Sequence, residues 1–247
     1  MTPALELDSI GISYGHRPVL TAATLRAAVG RVTALIGRNG AGKTSLLRAG
    51  VGLQSTDHGT VRFFGVLHLR PRLARLARRG LFYLPARDIL DPFVSVRQQV
   101  TAVSRYFGGA TPDEALGLVR LQDIADQSPV TLSGGELRRA EIAVAVARRP
   151  RCLVADEPFR GLDPLDVELV GGGIRGLRQG GCAVVLTGHE LTHVRALADT
   201  VVWCAAGTTR QFATAGEAWA DAQLQQEFLG VGAPHPLAGA LTARPPD

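Results

Sequence analysis

Eight consecutive residues constrain this chain more than any others: Gly37-Arg38-Asn39-Gly40-Ala41-Gly42-Lys43-Thr44. They follow a short β-rich run, Val32 to Ile36, and lead into a helix-like segment from Lys43 to Ala49. Glycines there let successive backbone N–H groups turn inward as an anion nest, an approach that side chains would block. The helix that follows aims its positive end at the same anion. Lys43 is the only lysine among the 27 lysines and arginines of the chain. A compact ammonium on a flexible stem enters a narrow backbone loop where a planar guanidinium fork does not fit. The spacing G-x-x-x-x-G-K-T therefore predicts a phosphate cradle, with Lys43 on the β- and γ-phosphates and the Thr44 hydroxyl on Mg²⁺.

A second element lies far downstream. Cys152-Leu153-Val154-Ala155 reads as a buried strand closed by two carboxylates, Asp156 and Glu157. Beside a phosphate loop, this puts Asp156 near the Mg²⁺ shell and Glu157 where an attacking water would sit. Strands and helices then alternate: Cys152–Ala155, Pro164–Gln179, Ala183–Thr187, Leu191–Ala198 and Val201–Cys204. That alternation predicts a parallel sheet with crossover helices. Upstream, Leu5 to Tyr14 alternates like a half-buried strand with a slip at Ser9, and Gly59–Phe64 and Leu81–Leu84 read as further strands. From Val94 to Ala147 helical signals dominate, with starts at Thr111-Pro112-Asp113-Glu114 and Ser133-Gly134-Gly135-Glu136. Gly171, Gly172, Gly173 and Gly176 fall inside an expected helix, where each costs about 1 kcal/mol against alanine.

At 247 residues, 46% hydrophobic and 20% charged, the chain has the composition of an ordinary globular domain, which excludes collagen-like and wholly disordered classes. No run approaches the eighteen or so apolar residues of a membrane span. The first residues show no basic-then-apolar leader, so a cytosolic protein is expected. Cys152, Cys182 and Cys204 are an odd number without a C-x-x-C pair, and they read as small buried hydrophobes. The net charge of +5 fits an acidic partner such as nucleotide, nucleic acid or lipid headgroup. Arginines cluster between Arg70 and Arg79 on an amphipathic helix with Leu73, Leu76 and Ala77 inward; that face is either simply solvated or meets an acidic partner. The segment from Gly232 to Asp247, rich in Gly, Ala and Pro, is expected to be a disordered tail.

Leu132-Ser133-Gly134-Gly135-Glu136 supplies a serine hydroxyl, exposed glycine N–H groups and a helix N-terminus, which together form a second phosphate-binding surface. Combined with the phosphate loop and the carboxylate strand, this set resembles the signature of the ATP-binding cassette (ABC) ATPases from Leu5 to about Gly230. The resemblance implies an α/β fold with a P-loop NTPase (RecA-like) core. The core sheet would be mostly parallel, with an N-terminal antiparallel β subdomain and a helical subdomain inserted at about 86–148, all within one domain over 1–230. It implies ATP and Mg²⁺ as cofactors, with nucleotide contacts from Tyr14 (an adenine platform), Gly37, Arg38, Asn39, Gly40, Ala41, Gly42, Lys43, Thr44 and Ser45. Thr44 and Asp156 would hold the metal, and Glu157 and His189 would be catalytic. Ser133, Gly134, Gly135 and Asp163 (in Gly161-Leu162-Asp163-Pro164) would complete the ATP site of a second, head-to-tail subunit, most simply an identical one.

One motif departs from the pattern. Leu81-Phe82-Tyr83-Leu84-Pro85-Ala86-Arg87-Asp88 aligns with the strand leading into the family's Q-loop, yet Ala86 stands where the family has Gln or Glu. A methyl group neither ligates Mg²⁺ nor relays the state of the γ-phosphate. Either Arg87 or Asp88 takes over, water fills the position, or coupling is weakened. The run from Asp156 to Pro164 and the ending Glu227-Phe228-Leu229-Gly230 resemble lipopolysaccharide-export and branched-chain amino-acid import ATPases. The expectation is an ATPase subunit lying on the cytoplasmic membrane face beneath a separate transmembrane permease, docked around Ala86 to Gln99, with no nucleic-acid partner. The alternatives are a weakly hydrolysing cassette paired with an active one, and a soluble ABC ATPase outside transport.

Overall fold

The computed structural model describes residues 2–188 and 191–229. The strands are Leu5–Tyr14 (β1), Arg17–Ala27 (β2), Val32–Ile36 (β3), His58–Phe63 (β4) and Val66–His68 (β5), then Leu81–Leu84 (β6), Cys152–Ala155 (β7), Ala183–Thr187 (β8), Thr200–Ala205 (β9) and Thr208–Phe212 (β10). The helices are Lys43–Gly50 (α1), Leu73–Arg78 (α2), Val96–Phe107 (α3), Pro112–Leu118 (α4), Gly134–Arg148 (α5), Pro164–Gln179 (α6), Leu191–Leu197 (α7) and Ala215–Ala220 (α8). The strands form one sheet in the order β5-β4-β1-β2-β10-β9-β3-β8-β7-β6. Its N-terminal part, β5-β4-β1-β2, is antiparallel, while β9, β3, β8, β7 and β6 are mutually parallel. The α/β architecture expected from the sequence is present in both parts.

The parallel strands alternate their side chains between two cores, as the period of two requires. Ala34, Leu153, Ala155, Val184 and Leu186 face the helices α3 to α6. Leu35, Cys152, Val154, Ala183 and Val185 face α1 and the antiparallel strands. All three cysteines are buried free thiols, as read from their apolar surroundings.

The slip at Ser9 is a bulge. Ser9 sits at φ 53°, and the pairing of β1 with β2 shifts between Leu7 and Ile10. Three strands carried no sequence signal: β2 begins Arg17-Pro18, β5 is only three residues long, and β10 is largely exposed and polar, Thr-Thr-Arg-Gln-Phe. β4 ends at Phe63, one residue short of the expected Phe64, because Phe64 turns at φ 47° into the hairpin with β5.

The helices from α3 to α5 lie in the chain between β6 and β7, with α5 packed against α3, α4 and α6. Ser95, Thr111 and Ser133 each head a helix with a full capping box, completed by Gln98, Glu114 and Glu136. Each box satisfies two helix-end N–H groups and is worth about 1 kcal/mol. The glycine run in α6 resolves into one needed glycine and three tolerated ones. A Cβ on Gly173 would lie 2.3 Å from Ile142 Cγ2 of α5, so only glycine allows that helix contact. At Gly171 and Gly172 a Cβ would meet only the Arg175 guanidinium, and at Gly176 it would sit 3.6 Å from Leu118 Cδ2.

Candidate active site

Register builds the site. Ala34, Leu186, Ala155 and Leu84 stand in one row across β3, β8, β7 and β6. The chain leaves all four parallel strands at the same edge, so the loops after Ile36, Thr187, Ala155 and Leu84 emerge side by side. Ligand sites of open α/β sheets form at such carboxyl edges.

The phosphate loop closes on its own lysine. Lys43 Nζ donates to the carbonyls of Gly37 at 2.9 Å and Arg38 at 3.1 Å, so the ammonium lies inside the loop. Burial lowers its pKa, opposed by the charges of Glu157, Cys204 and Asp156. Gly40 and Gly42 adopt φ 80° and 96°, the left-handed region that favours glycine. Gly37 is excluded from any larger residue by contact, since a Cβ there would lie 2.3 Å from the Cys204 carbonyl oxygen. Ala41 is fixed from the same side, its carbonyl accepting from Cys204 Sγ at 3.0 Å. Asn39 and Arg38 stay exposed at the rim. Tyr14 ends β1 half-exposed, with its hydroxyl 3.2 Å from Ser45 Oγ and 3.3 Å from Gln54 Oε1. This ties the expected adenine platform to the first turn of α1.

Beyond the loop, oxygen donors converge. Asp156 is buried, its Oδ1 accepting from Thr44 Oγ1 at 3.2 Å and from Thr187 Oγ1 at 2.7 Å. Thr187 Oγ1 in turn accepts the Glu157 N–H at 2.8 Å. Thr187 is fully buried at the end of β8 and was missed by sequence reasoning. Its one signal was its place immediately before Gly188-His189. Glu157 holds φ 50°, a left-handed conformation costing roughly 1–2 kcal/mol for a non-glycine residue, and the Thr187 bond helps to hold it. Arg160 Nη1 lies 3.6 Å from its carboxylate. A hydroxyl and a carboxylate meeting at 3.2 Å form a hard-oxygen donor set, which suits Mg²⁺ rather than a thiophilic metal.

Ala86 lines a cleft of about 730 Å³ together with Thr44, Arg48, Arg87, Asp88 and Asp156. Burial and the Asp156 charge push the Tyr83 hydroxyl of this cleft up to about 12. The loop backbone is gripped from α5. Arg138 Nη1 donates to the Pro85 carbonyl at 3.1 Å, and Glu141 Oε1 accepts the Ile89 N–H at 2.9 Å. Arg138 and Glu141 also pair at 2.8 Å.

The segment expected to form a second phosphate surface heads α5 and is not joined to the phosphate loop. Ser133 and Gly134 are exposed at the head of α5, and among the described residues no hydrogen bond links them to the phosphate loop. The Ser133 hydroxyl caps α5 by accepting the Glu136 N–H at 3.2 Å. A Cβ on Gly135 would collide with the Asp166 carboxylate, which Arg139 holds at 2.7 Å. Asp163 is exposed and caps α6, accepting the Asp166 N–H at 2.8 Å. His189 and the expected disordered tail lie outside the described residues. No described helix is long and apolar enough to cross a membrane.

A family model described as "ABC transporter" matches residues 20–160. The chain belongs to the ABC transporter family. Its relatives within that family are named ATP-binding proteins. The chain is 36% identical over 200 residues to Nod factor export ATP-binding protein I of Paraburkholderia xenovorans (strain LB400), which covers 78% of this chain and 65% of the relative. The chain thus spans just under two thirds of that relative's length. It is 31% identical over 234 residues to the lipopolysaccharide export system ATP-binding protein LptB of Haemophilus influenzae (strain ATCC 51907 / DSM 11121 / KW20 / Rd), covering 92% of this chain and 97% of the relative. The lipopolysaccharide-export resemblance seen in the motifs is therefore found along most of the cassette. A solved dimeric cassette in a post-hydrolysis state, bound to ADP and phosphate, superposes with TM-score 0.73 at 21% identity over 84% of this chain and 97% of that one.

Proposed function

We propose that this ABC cassette hydrolyses ATP as a head-to-tail homodimer beneath a separate membrane permease and that it serves an export system. Export is favoured because both relatives described above carry that word in their names. The dimeric neighbour supports pairing, as does the exposure of Ser133 and Gly134 away from the chain's own phosphate loop. The observation that carries hydrolysis is the network Thr44–Asp156–Thr187–Glu157, which fixes a carboxylate beside the donors suited to a metal.

In this reading the loop N–H groups and Lys43 hold the phosphates, Tyr14 packs on the adenine, and Thr44 with Asp156 holds Mg²⁺. Bound Mg²⁺ supplies charge neutralisation on the β- and γ-phosphate oxygens. Glu157 orients the water and accepts its proton, while Lys43 and the partner subunit's signature segment stabilise the charge that develops on the γ-phosphoryl group. His189, two residues beyond Thr187, is assigned to the γ-phosphate. Permease docking falls on the exposed loop from Ala86 to Ile89, which α5 grips through Arg138 and Glu141.

The test compares wild type with Glu157→Gln for ATP-dependent dimerisation and phosphate release. Wild type should release phosphate, while the variant should accumulate as an ATP-bound dimer. A wild-type chain that binds ATP yet never turns over, even with permease, would refute hydrolysis. It would leave the weakly hydrolysing cassette that Ala86 favours.

A further inference from the structure

A second cleft, of about 700 Å³, opens at the opposite edge of the sheet, beside Gly80 and Arg151 at the amino ends of β6 and β7. Each of these strands has four residues, so roughly 13 Å of strand separates it from Asp156 and Glu157. Five arginines line it: Arg78 and Arg79 at the end of α2, Arg148 and Arg149 at the end of α5, and Arg151 before β7. No acidic residue is in the lining. Glu114, outside the lining, has its carboxylate engaged by the Thr111 N–H at 2.8 Å.

None of these arginines has a carboxylate partner within ion-pair distance among the described residues. Arg148 instead rests over the Phe107 ring at 4.1 Å and donates to the Ala77 carbonyl, and Arg151 lies 3.6 Å above Phe64. Those contacts hold two guanidinium planes in place at the cost of partial desolvation, and burial lowers the Arg148 pKa. The positive field extends to buried His68, whose pKa is lowered by burial and by Arg79 and Arg75. Phosphate oxygens match the guanidinium fork in pairs, and a volume near 700 Å³ lies within the range of small-molecule sites.

We propose that this cleft is a second anion site, separate from the ATP site, that binds a small soluble molecule carrying at least two linked or neighbouring phosphates. Five gathered cations call for more than one negative group, and Phe63, Phe64 and Phe107 form an apolar floor for the body of the ligand. The site gives one outcome for the arginine cluster first seen in the sequence: Arg78 and Arg79 face an acidic small molecule rather than bulk water.

Inorganic pyrophosphate is the probe, titrated calorimetrically without Mg²⁺ into full-length Lys43→Ala protein, so that the phosphate loop does not contribute. The expected result is one saturable site per chain, weakened at least about tenfold by Arg78→Ala/Arg79→Ala and weakened further as salt rises. Both residues are exposed, and far-UV dichroism and melting establish that the variant is folded. Absence of saturable binding to Lys43→Ala overturns the proposal, as does equal affinity in the double variant. Retention on phosphatidylglycerol vesicles without pyrophosphate binding also overturns it, because the cleft would then read lipid headgroups.

Discussion

Thr187→Val tests whether the two acidic residues are organised by a single buried hydroxyl. Thr187 Oγ1 donates to Asp156 at 2.7 Å and accepts from the Glu157 N–H at 2.8 Å, in a fully buried position. Valine keeps the shape but removes both bonds. The charged bond to Asp156 is worth about 1.5–3 kcal/mol, and the orphaned Glu157 N–H costs about 1–3 kcal/mol. Asp156 keeps its bond from Thr44, and burial of the new methyl returns about 0.8 kcal/mol. The expected net loss is about 2–5 kcal/mol, which in a domain of this size lowers the melting temperature by roughly 4–20 °C.

The catalytic effect is distinct from the stability effect. Without its N–H anchor Glu157 relaxes from φ 50°, and a carboxylate misplaced by about 1 Å costs on the order of 100-fold in kcat. The phosphate loop is untouched, so ATP affinity should stay within about twofold of wild type, because Lys43 and its loop carry the phosphate binding. Thr187→Ser retains the hydroxyl and should recover most of both losses. Differential scanning calorimetry and steady-state phosphate release read the series. A valine variant that melts and turns over like wild type would refute the assigned network.

The glycines of α6 should separate by position. Gly172→Ala should stabilise the domain by about 1 kcal/mol, since its Cβ meets only Arg175 Nη2 at 3.9 Å. Gly173→Ala, at 2.3 Å from Ile142 Cγ2, should destabilise it by about 1–3 kcal/mol; equal thermal shifts for the two would contradict the packing. Glu141 gives a pH signature. Burial pushes its carboxyl up to about 7, against the opposing pull of Arg138, while the unfolded chain releases the proton near 4.5. Between those values the folded state holds a proton that the unfolded state lacks, so this stability contribution is full below about 4.5 and lost as pH rises towards 7. Melting curves of wild type against Glu141→Gln should therefore diverge across that window, with wild type losing ground as pH rises. A constant difference would show that Glu141 does not titrate there.

The legible parts of the fold were those whose chemistry is local. The phosphate loop announced itself because a nest of N–H groups needs glycines at fixed spacing, and its φ values bear that out. Cys152–Ala155 and Ala183–Thr187 were visible as strands because both faces are buried, which writes an unbroken apolar run. By contrast β10 exposes most of its side chains and lies between β9 and β2 through backbone pairing, so nothing in its composition marked it. The purpose of the α6 glycines was hidden for a similar reason: the clash at Gly173 is with Ile142, a residue on another helix.

The sequence by itself determined that a glycine-rich loop with one lysine follows a buried strand, that two carboxylates end another, and that a serine-glycine pair heads a helix. Each of these is a property of a few adjacent residues. Tertiary structure decided which of them meet. Parallel register brought Thr44, Asp156, Glu157 and Thr187 together from three separate stretches of chain, while Ser133 was left facing outward. It also gathered Arg78, Arg79, Arg148, Arg149 and Arg151 around one cleft, although they come from two segments about 70 residues apart. Side-chain chemistry is written along the chain, but the distance between two groups is set by how strands pair and helices pack. Those contacts are long-range, so no local window of sequence carries them.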